Sequence, residues 1–316
     1  MRDILAGEFD LVDCYYEKAY ECELPERGSR HFDVALFFEF LPDRRRICIP
    51  GVPCVFVPMF DNEWGSKWQW RRIAASGMSV ISFCGKVSEH ARACGVERLL
   101  DVRFFPGAEG DGDMRGDPRR VLLWERGDIG FATIKALFAP DAVESVTLLR
   151  RGEGKRMGDA SISGQDMRDY KVNIVETGYL PRAEFIEIMR PAGTVVAPRL
   201  KEGIGMAFLE AMAMGKIVVA NDDATMNETI RDGENGFLFD WRNPKRLDMS
   251  QIVALHERGF SCESLRARWL EDRKKISEFV RSSPPCAVPC NDLYRYVRFL
   301  AEGAIMRVRE KFDLRR

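Results

Sequence analysis

The 316-residue sequence predicts an α/β protein of two doubly wound domains with parallel sheets, the first of them small. Three observations predict it. Short apolar runs rich in Val, Ile and Phe alternate with helical patterns almost throughout, as buried parallel strands and their crossover helices do. A polar stretch, PGAEGDGDMRGDPRR (106–120), packs Gly, Pro and Asp between two such series and reads as a linker or long exposed loop. The chain, at 46% hydrophobic and 31% charged residues, is long enough for two modest domains with ordinary cores.

In the first third the strands fall at VALFFEF (34–40), PCVFVPM (53–59) and MSVISF (78–83). A helix is expected over KVSEHARACGV (86–96) and a fourth strand at DVRFF (101–105). The second series runs VLLW (121–124), a helix around FATIKALFA, SVTLL (145–149), VNIVETG (172–178) and a helix from RAEFIEIM. It closes with TVVAP (194–198), a helix from MAFLEAMAMG and KIVVAN (216–221). After SCESLRARWLEDRKKISEFV, the proline-bearing RSSPPCAVPC (281–290) breaks the helix, since proline lacks the amide donor. The expected domains are therefore 1–110, 118–282 and a C-terminal helix within 283–316. In that helix Leu293, Val297, Leu300, Ala304, Val308 and Phe312 share one face, which would pack back on the first domain. Arg295, Arg298, Arg307, Arg309 and Lys311 share the other, either a solvated face or one drawn to an anionic membrane surface.

Charge and cysteines exclude several classes. Lys+Arg at 48 against Asp+Glu at 49 leaves no whole-chain footprint for nucleic acid. No apolar run is long enough to span a bilayer, and MRDILAGEFDLVDCYY carries acidic residues where a signal peptide wants basic ones. The nine cysteines are scattered, and Cys54 and Cys84 sit in apolar runs as small buried hydrophobes. Cys286 and Cys290 have a C-x₃-C spacing without a second ligand pair or a nearby His, which argues against zinc. A reduced, cytoplasmic protein is expected.

The segment TVVAPRLKEGIGMAFLEAMAMGKIVVANDDATMNETIRDGENGFLF (194–239) carries the chemistry. A strand ends near Pro198, a polar loop with Glu202, Gly203 and Gly205 follows, and a helix begins near Met206. Glycines allow close backbone approach, and the first amides of a helix are unpaired donors with partial positive charge. Such a junction at the carboxyl end of a parallel strand suits a phosphate or a polyhydroxylated ring. From Met206 to Glu210 the helix advances about 6 Å. Glu202 and Glu210 could then each accept hydrogen bonds from a pair of hydroxyls, one pair on a sugar and one on a ribose. An unpaired buried carboxylate is costly, so Glu210, between Leu209 and Ala211, is hard to explain as mere packing. Gly233 and Gly236 read as turn glycines.

The E-x₇-E pattern with its E-G-x-G start, then L-E-A-M-A-M-G-K-I-V-V-A and N-E-T-I-R-D-G-E-N-G-F-L-F, resembles family 4 of the retaining GT-B glycosyltransferases. Upstream, ETGYLPRAEFIEIMRPAGTVVAP (176–198) is similar to that family's stretch beside the nucleotide base, and the likeness covers roughly 121–240. The resemblance implies the GT-B fold and transfer of a sugar from a nucleotide-sugar donor to a glycan or lipid-linked glycan acceptor, as in cell-surface polysaccharide assembly. It implies a metal-independent reaction with no cofactor, because basic side chains and a helix N-terminus neutralise the departing diphosphate. Glu202 would sit against the donor sugar, and Gly203, Ile204, Gly205 and Met206 would hold its hydroxyls and the distal phosphate. Glu210 would bind the ribose, and Tyr179 and Leu180 would border the base. Retention would follow from the leaving diphosphate itself helping to remove the acceptor proton.

The pattern also departs from the family. Arg126 can take the role of the diphosphate arginine, but no lysine follows at the family's distance; Lys135 lies too far into its helix, and Lys201 or Arg199 is the alternative source of the charge. Where such enzymes often carry a histidine facing the donor sugar, this chain reads VPMFDNEW. Asp61 and Glu63 are the acidic groups there, Asp61 being the catalytic candidate and Glu63 an acceptor contact. Trp64 and Trp68, with Trp70 close behind, are either core or a stacking platform for an acceptor sugar. His90 reads as a helix-surface residue. A nicotinamide-dependent oxidoreductase fails because Phe208 stands at the third glycine position of the dinucleotide fingerprint. A non-catalytic or regulatory GT-B protein that binds nucleotide sugar without transfer, and an epimerase of the same fold, remain as alternatives.

Overall fold

A computed structural model of the chain describes residues 1–11, 33–41, 48–49, 51–61, 67–107, 114–151, 162–178 and 180–287. The chain divides into two compact units: Met1–Val102 with Leu270–Arg316, and Arg103–Trp269. Each is built on a parallel sheet, as the sequence predicts.

The first unit begins with a helical turn α1 (Arg2–Leu5), followed by β1 (Ala35–Phe38), β2 (Cys54–Val57), α2 (Lys67–Ala75), β3 (Ser79–Ser82), α3 (Gly85–Ala93) and β4 (Leu99–Asp101). The four strands lie in the order β1-β2-β3-β4, all parallel. Every residue of β2 and β3 is buried, so β2 reads as an unbroken apolar run and β3 has no polar alternation, its two serines being buried as well. Trp70 on α2 is fully buried against Phe56, with ring centroids 6.1 Å apart. The fourth strand is displaced from its predicted place at 101–105. Leu99 to Asp101 form the ladder with Val80 to Ser82, and the apolar residues beyond are used for packing: Phe104 meets Trp269 edge-on at 4.9 Å.

The second unit contains β5 (Asp117–Glu125), α4 (Phe131–Leu137), β6 (Ser145–Arg151), α5 (Gly164–Asp169), β7 (Val172–Thr177), α6 (Arg182–Met189) and β8 (Ala192–Val196). It continues with α7 (Met206–Ala213), β9 (Ile217–Asn221), β10 (Phe237–Phe239), α8 (Met249–Arg258) and the start of α9 (Glu263–Arg281). The strand β5 starts inside the stretch predicted as linker. Its polar beginning is held by backbone pairing of Arg120 with Ser145 while the side chains of Arg119 and Arg120 face solvent. One apolar cluster under the sheet gathers Val121, Leu123, Ile134, Val146, Leu148, Val196, Val219, Ile252 and Leu255 from six elements.

The six strands lie in the order β10-β9-β8-β5-β6-β7, with every pairing parallel. The chain builds outward from β5 through β6 to β7, returns to β8 on the other side of β5, and builds outward again. The reversal puts the topological switch point between β5 and β8, where open α/β sheets bind ligands beyond the carboxyl ends of their strands. No helix among the described residues is long and apolar enough to cross a membrane. The helix expected within 283–316 lies, from residue 288 on, outside the described residues.

Candidate functional site

The loops leaving β5 and β8 flank the switch point, and both carry sequence-predicted residues. After β8, Ala197 is tied to β9 through its amide and the Val219 carbonyl at 2.9 Å. The loop from Pro198 to Gly205 is then clamped from the β9 side. Asn221, 4% exposed at the end of β9, donates its side-chain amide to the Leu200 carbonyl at 3.0 Å and accepts from the Trp241 amide at 3.2 Å. The Glu202 amide reaches the Ala224 carbonyl at 3.4 Å. These bonds hold Glu202 and Gly203 in the interior, Lys201 at the surface and Ile204 half-buried.

Gly205 turns the loop into the helix. Its φ of 81° and ψ of 42° lie in the left-handed region, and a Cβ there would overlap the ring of Phe208, itself 1% exposed. Only glycine meets both demands. The helix α7 that follows has no side-chain cap hydrogen bond, and Met206 at its start is exposed. One turn on, Glu210 is 8% exposed, and Glu202 is 7% exposed. The Glu210 carboxylate is met at 3.0 Å by the guanidinium of Arg182, a side chain that is itself 49% exposed. Two interior carboxylates thus stand on one loop and helix, one of them partnered by a cation that reaches in from solvent.

On the β5 side, Arg126 is exposed and its guanidinium lies over the Trp124 ring at 4.7 Å, with Phe185 packed on the same indole at 5.3 Å. Leu180 is half-buried where α6 begins. Glu125, the last residue of β5, is paired with Arg150 across the ladder, and its other oxygen accepts from the Phe131 amide at 3.3 Å. That carboxylate therefore already occupies the start of α4. Lys135, further along α4, is committed to Asp166 at 2.9 Å.

Glu202, Gly203, Ile204, Gly205, Met206, Glu210, Lys201, Arg126 and Leu180 all belong to the second unit. Asp61 and Trp68 belong to the first. Asp61 is half-buried just past β2, and Trp68 lies on α2 with the Arg72 guanidinium 4.8 Å from its ring. Trp70 is core. Tyr179, Glu63 and Trp64 lie outside the described residues. His90 sits on α3, edge-on to Trp70 at 5.9 Å, and burial lowers its pKa.

Sequence reasoning missed Arg182, Glu125 and Arg150. A signal existed for Arg182: it is the first residue of α6, where a cation opposes the helix dipole, so it needs a compensating partner. The Glu125–Arg150 pair required the strand register, which no spacing reveals.

Residues 166–276 match the family model "Glycosyl transferases group 1". An uncharacterized glycosyltransferase of Methanocaldococcus jannaschii is 27% identical over 172 residues, which covers 50% of this chain and 46% of that protein. A D-inositol 3-phosphate glycosyltransferase of Paenarthrobacter aurescens is 30% identical over 107 residues, covering 29% of this chain and 26% of that protein. Among solved structures, TarM aligns with 78% of this chain and 50% of its own, at 18% identity and a TM-score of 0.46. The chain spans about half the length, or less, of the curated relatives it matches.

Proposed function

We propose that this chain is a metal-independent GT-B glycosyltransferase, moving a sugar with retention from a nucleotide-sugar donor to a glycan or lipid-linked glycan acceptor in cell-surface polysaccharide assembly. The observation that carries the reading is the pair of interior carboxylates, Glu202 and Glu210, on the loop and helix after β8 at the switch point. Both fall within the stretch that matches the glycosyltransferase model. A carboxylate only accepts hydrogen bonds, and the paired hydroxyls of a ribose or a pyranose are fitting donors to it.

In this reading Glu210 accepts from the ribose hydroxyls beside Arg182, and Leu180 with Tyr179 borders the base. The backbone from Gly203 to Met206 receives the sugar hydroxyls and the distal phosphate, where the uncapped amides of α7 favour negative charge. Arg126 and Lys201 supply the remaining positive charge. Glu202 stabilises the positive charge that develops on the sugar ring as the bond to the diphosphate breaks. The diphosphate oxygen takes the acceptor proton on the same face, which leads to retention. Asp61 is assigned a catalytic role, and Glu63, Trp64 and Trp68 contact with the acceptor.

The test is thermal melting with a panel of nucleoside diphosphates and nucleotide sugars. A ligand at ~100 times its Kd adds about 2.7 kcal/mol of stability. Stabilisation by one diphosphonucleotide family that disappears in Glu210→Ala supports the donor site; no shift with any nucleotide sinks it. One observation favours a second reading, a protein that binds the donor without transfer: Glu125, held by Arg150, already accepts from the Phe131 amide at the start of α4, so a diphosphate would have to displace it there. Release of free nucleotide from a nucleotide sugar in the presence of glycan acceptors separates the two, since a non-catalytic protein melts higher but yields none.

A further inference from the structure

Two phenylalanines in the first unit stand out of the core at a strained turn. Phe38, the last residue of β1, is 45% exposed, and Phe40 is 49% exposed. Between them Glu39 has a φ of 70°, in the left-handed region that a non-glycine residue rarely adopts. The Phe40 amide donates back to the Phe38 carbonyl at 2.8 Å, closing a γ-turn of the rare, strained form with positive φ. This is no frayed end. Phe38 is in register with Val57 of β2, the Glu39 amide donates to the Val57 carbonyl at 2.8 Å, and Leu41 is 7% exposed. The chain leaves the ladder, displays two rings and turns inward again at Leu41. Backbone strain of this kind persists only where the surroundings hold it, and it clusters at ligand sites. The turn also lies at the carboxyl end of a parallel strand, where open α/β sheets take their ligands. Asp61, half-buried, follows the same end of the neighbouring strand β2.

We propose that the turn Phe38–Phe40 is a sugar-binding subsite, where a pyranose residue of the acceptor glycan lies with its apolar face on the phenylalanine rings and donates hydroxyls to Glu39. The inference rests on the reading of the chain as a glycosyltransferase, and it adds acceptor contacts to those assigned to Glu63, Trp64 and Trp68. A pyranose carries C–H groups on its face and hydroxyls around its edge. It therefore asks for an aromatic surface with hydrogen-bond acceptors beside it, and a carboxylate only accepts. In an extended strand Phe38 and Glu39 would point to opposite faces; the γ-turn breaks that alternation at Glu39. Size argues against a protein partner. A whole aromatic side chain covers about 150–250 Å², so the two half-exposed rings offer roughly 200 Å². A stable protein interface needs about 800 Å² from each partner. The other exposed large hydrophobics among the described residues are Met206 and Trp241 in the second unit and Leu270 on α9. A lipid tail would use the rings but set carboxylates against hydrocarbon, which is costly. A sugar uses both.

The experiment measures binding of the whole chain to immobilised oligosaccharides built from glucose, galactose, mannose and N-acetylglucosamine. Vesicles of phosphatidylcholine with phosphatidylglycerol serve as a second probe. Wild type is expected to bind at least one glycan. The double variant Phe38→Ala, Phe40→Ala removes only exposed rings, so it should melt close to wild type while that binding weakens about tenfold. Glu39→Gly relieves the positive φ and removes the carboxylate. Its Tm should be no lower than that of wild type, yet glycan binding should again fall about tenfold. A turn with a merely structural role would lose no binding in either variant. Both variants should keep the stabilisation by nucleoside diphosphates. Absence of that shift in wild type sinks the transferase reading, whereas glycan binding indifferent to the variants sinks the subsite alone. Failure of wild type to bind any glycan also overturns the subsite. So does vesicle binding that depends on the two rings while glycan binding does not.

Discussion

Both ends of the second unit's sheet bury charge, but they satisfy it in different ways. At the amino end Lys216, fully buried just before β9, donates its ammonium to the backbone carbonyls of Arg190 at 3.1 Å and Ala192 at 2.7 Å, where β8 begins. At the carboxyl end Glu202 and Glu210 are buried, and Glu210 meets Arg182, a flexible side chain half in solvent. A charge bound to backbone carbonyls is fixed by the same fold it fixes. A charge whose partner is a half-exposed side chain is held by a contact that solvent and a ligand can reach. The difference separates a device that joins strands from one that can recognise hydroxyls, although both are buried ions on one sheet.

The most disruptive way to test the contrast is Lys216→Met, which keeps the side chain's length and removes its ammonium. Two buried carbonyls then lose charged donors, and we expect a loss of about 3 kcal/mol. Urea unfolding should show a lower midpoint with unchanged slope and with nucleotide affinity intact. Glu210→Ala should do the reverse. Removing a buried carboxylate leaves Arg182 free to hydrate, so the unliganded protein should unfold within about 1 kcal/mol of wild type. Nucleoside diphosphate affinity, read by calorimetry, should fall about 100-fold with the loss of two charge-assisted hydrogen bonds. If Glu210→Ala instead lowers stability by about 3 kcal/mol, as expected for Lys216→Met, and leaves affinity unmoved, the two ends are alike and the contrast fails.

Gly205→Ala blurs the boundary by design. The methyl meets the buried Phe208 ring and the positive φ is strained, so a stability loss of roughly 2 kcal/mol is expected together with weaker nucleotide binding. Arg182→Ala should be the mildest. A half-exposed ion pair contributes about 0.2–1 kcal/mol, so affinity should weaken no more than about fivefold, with part of the effect vanishing in high salt.

How much of this was legible beforehand differs between the two ends. The loop and helix from Glu202 to Glu210 announced themselves because glycine at a strand-to-helix junction and an acid amid apolar helix residues are both costly without a reason. Lys216 gave no such signal: a lysine before a strand is ordinary, and its burial depends on carbonyls that the sequence places more than twenty residues away. Elements were lost for similar reasons. The helix α2 hides behind Trp68 and Trp70, whose alternation mimics a strand although only Trp70 is core. The start of β5 is polar because backbone pairing rather than side-chain burial holds it. At three residues β10 is too short for any period to show. The helix α8 could have been found from Asp248, whose carboxylate accepts from the Ser250 amide at 2.9 Å as a cap should.

The first unit is discontinuous in sequence, taking residues up to Val102 and then from Leu270 onward. The same discontinuity that lets Arg98 bond the Phe279 carbonyl, and Pro285 pair with Pro53, sets an order on biosynthesis. A ribosome releases the four strands β1 to β4 long before the segment that covers them exists. At about 5–20 residues per second, the nascent sheet waits on the order of ten seconds or more with an incomplete surface while the whole second unit is made. The second unit, contiguous, can fold during that interval. Chaperone dependence during translation should therefore belong to the amino-terminal unit, and a premature stop within α9 after Trp269 should release a chain whose second unit is native and whose first is not.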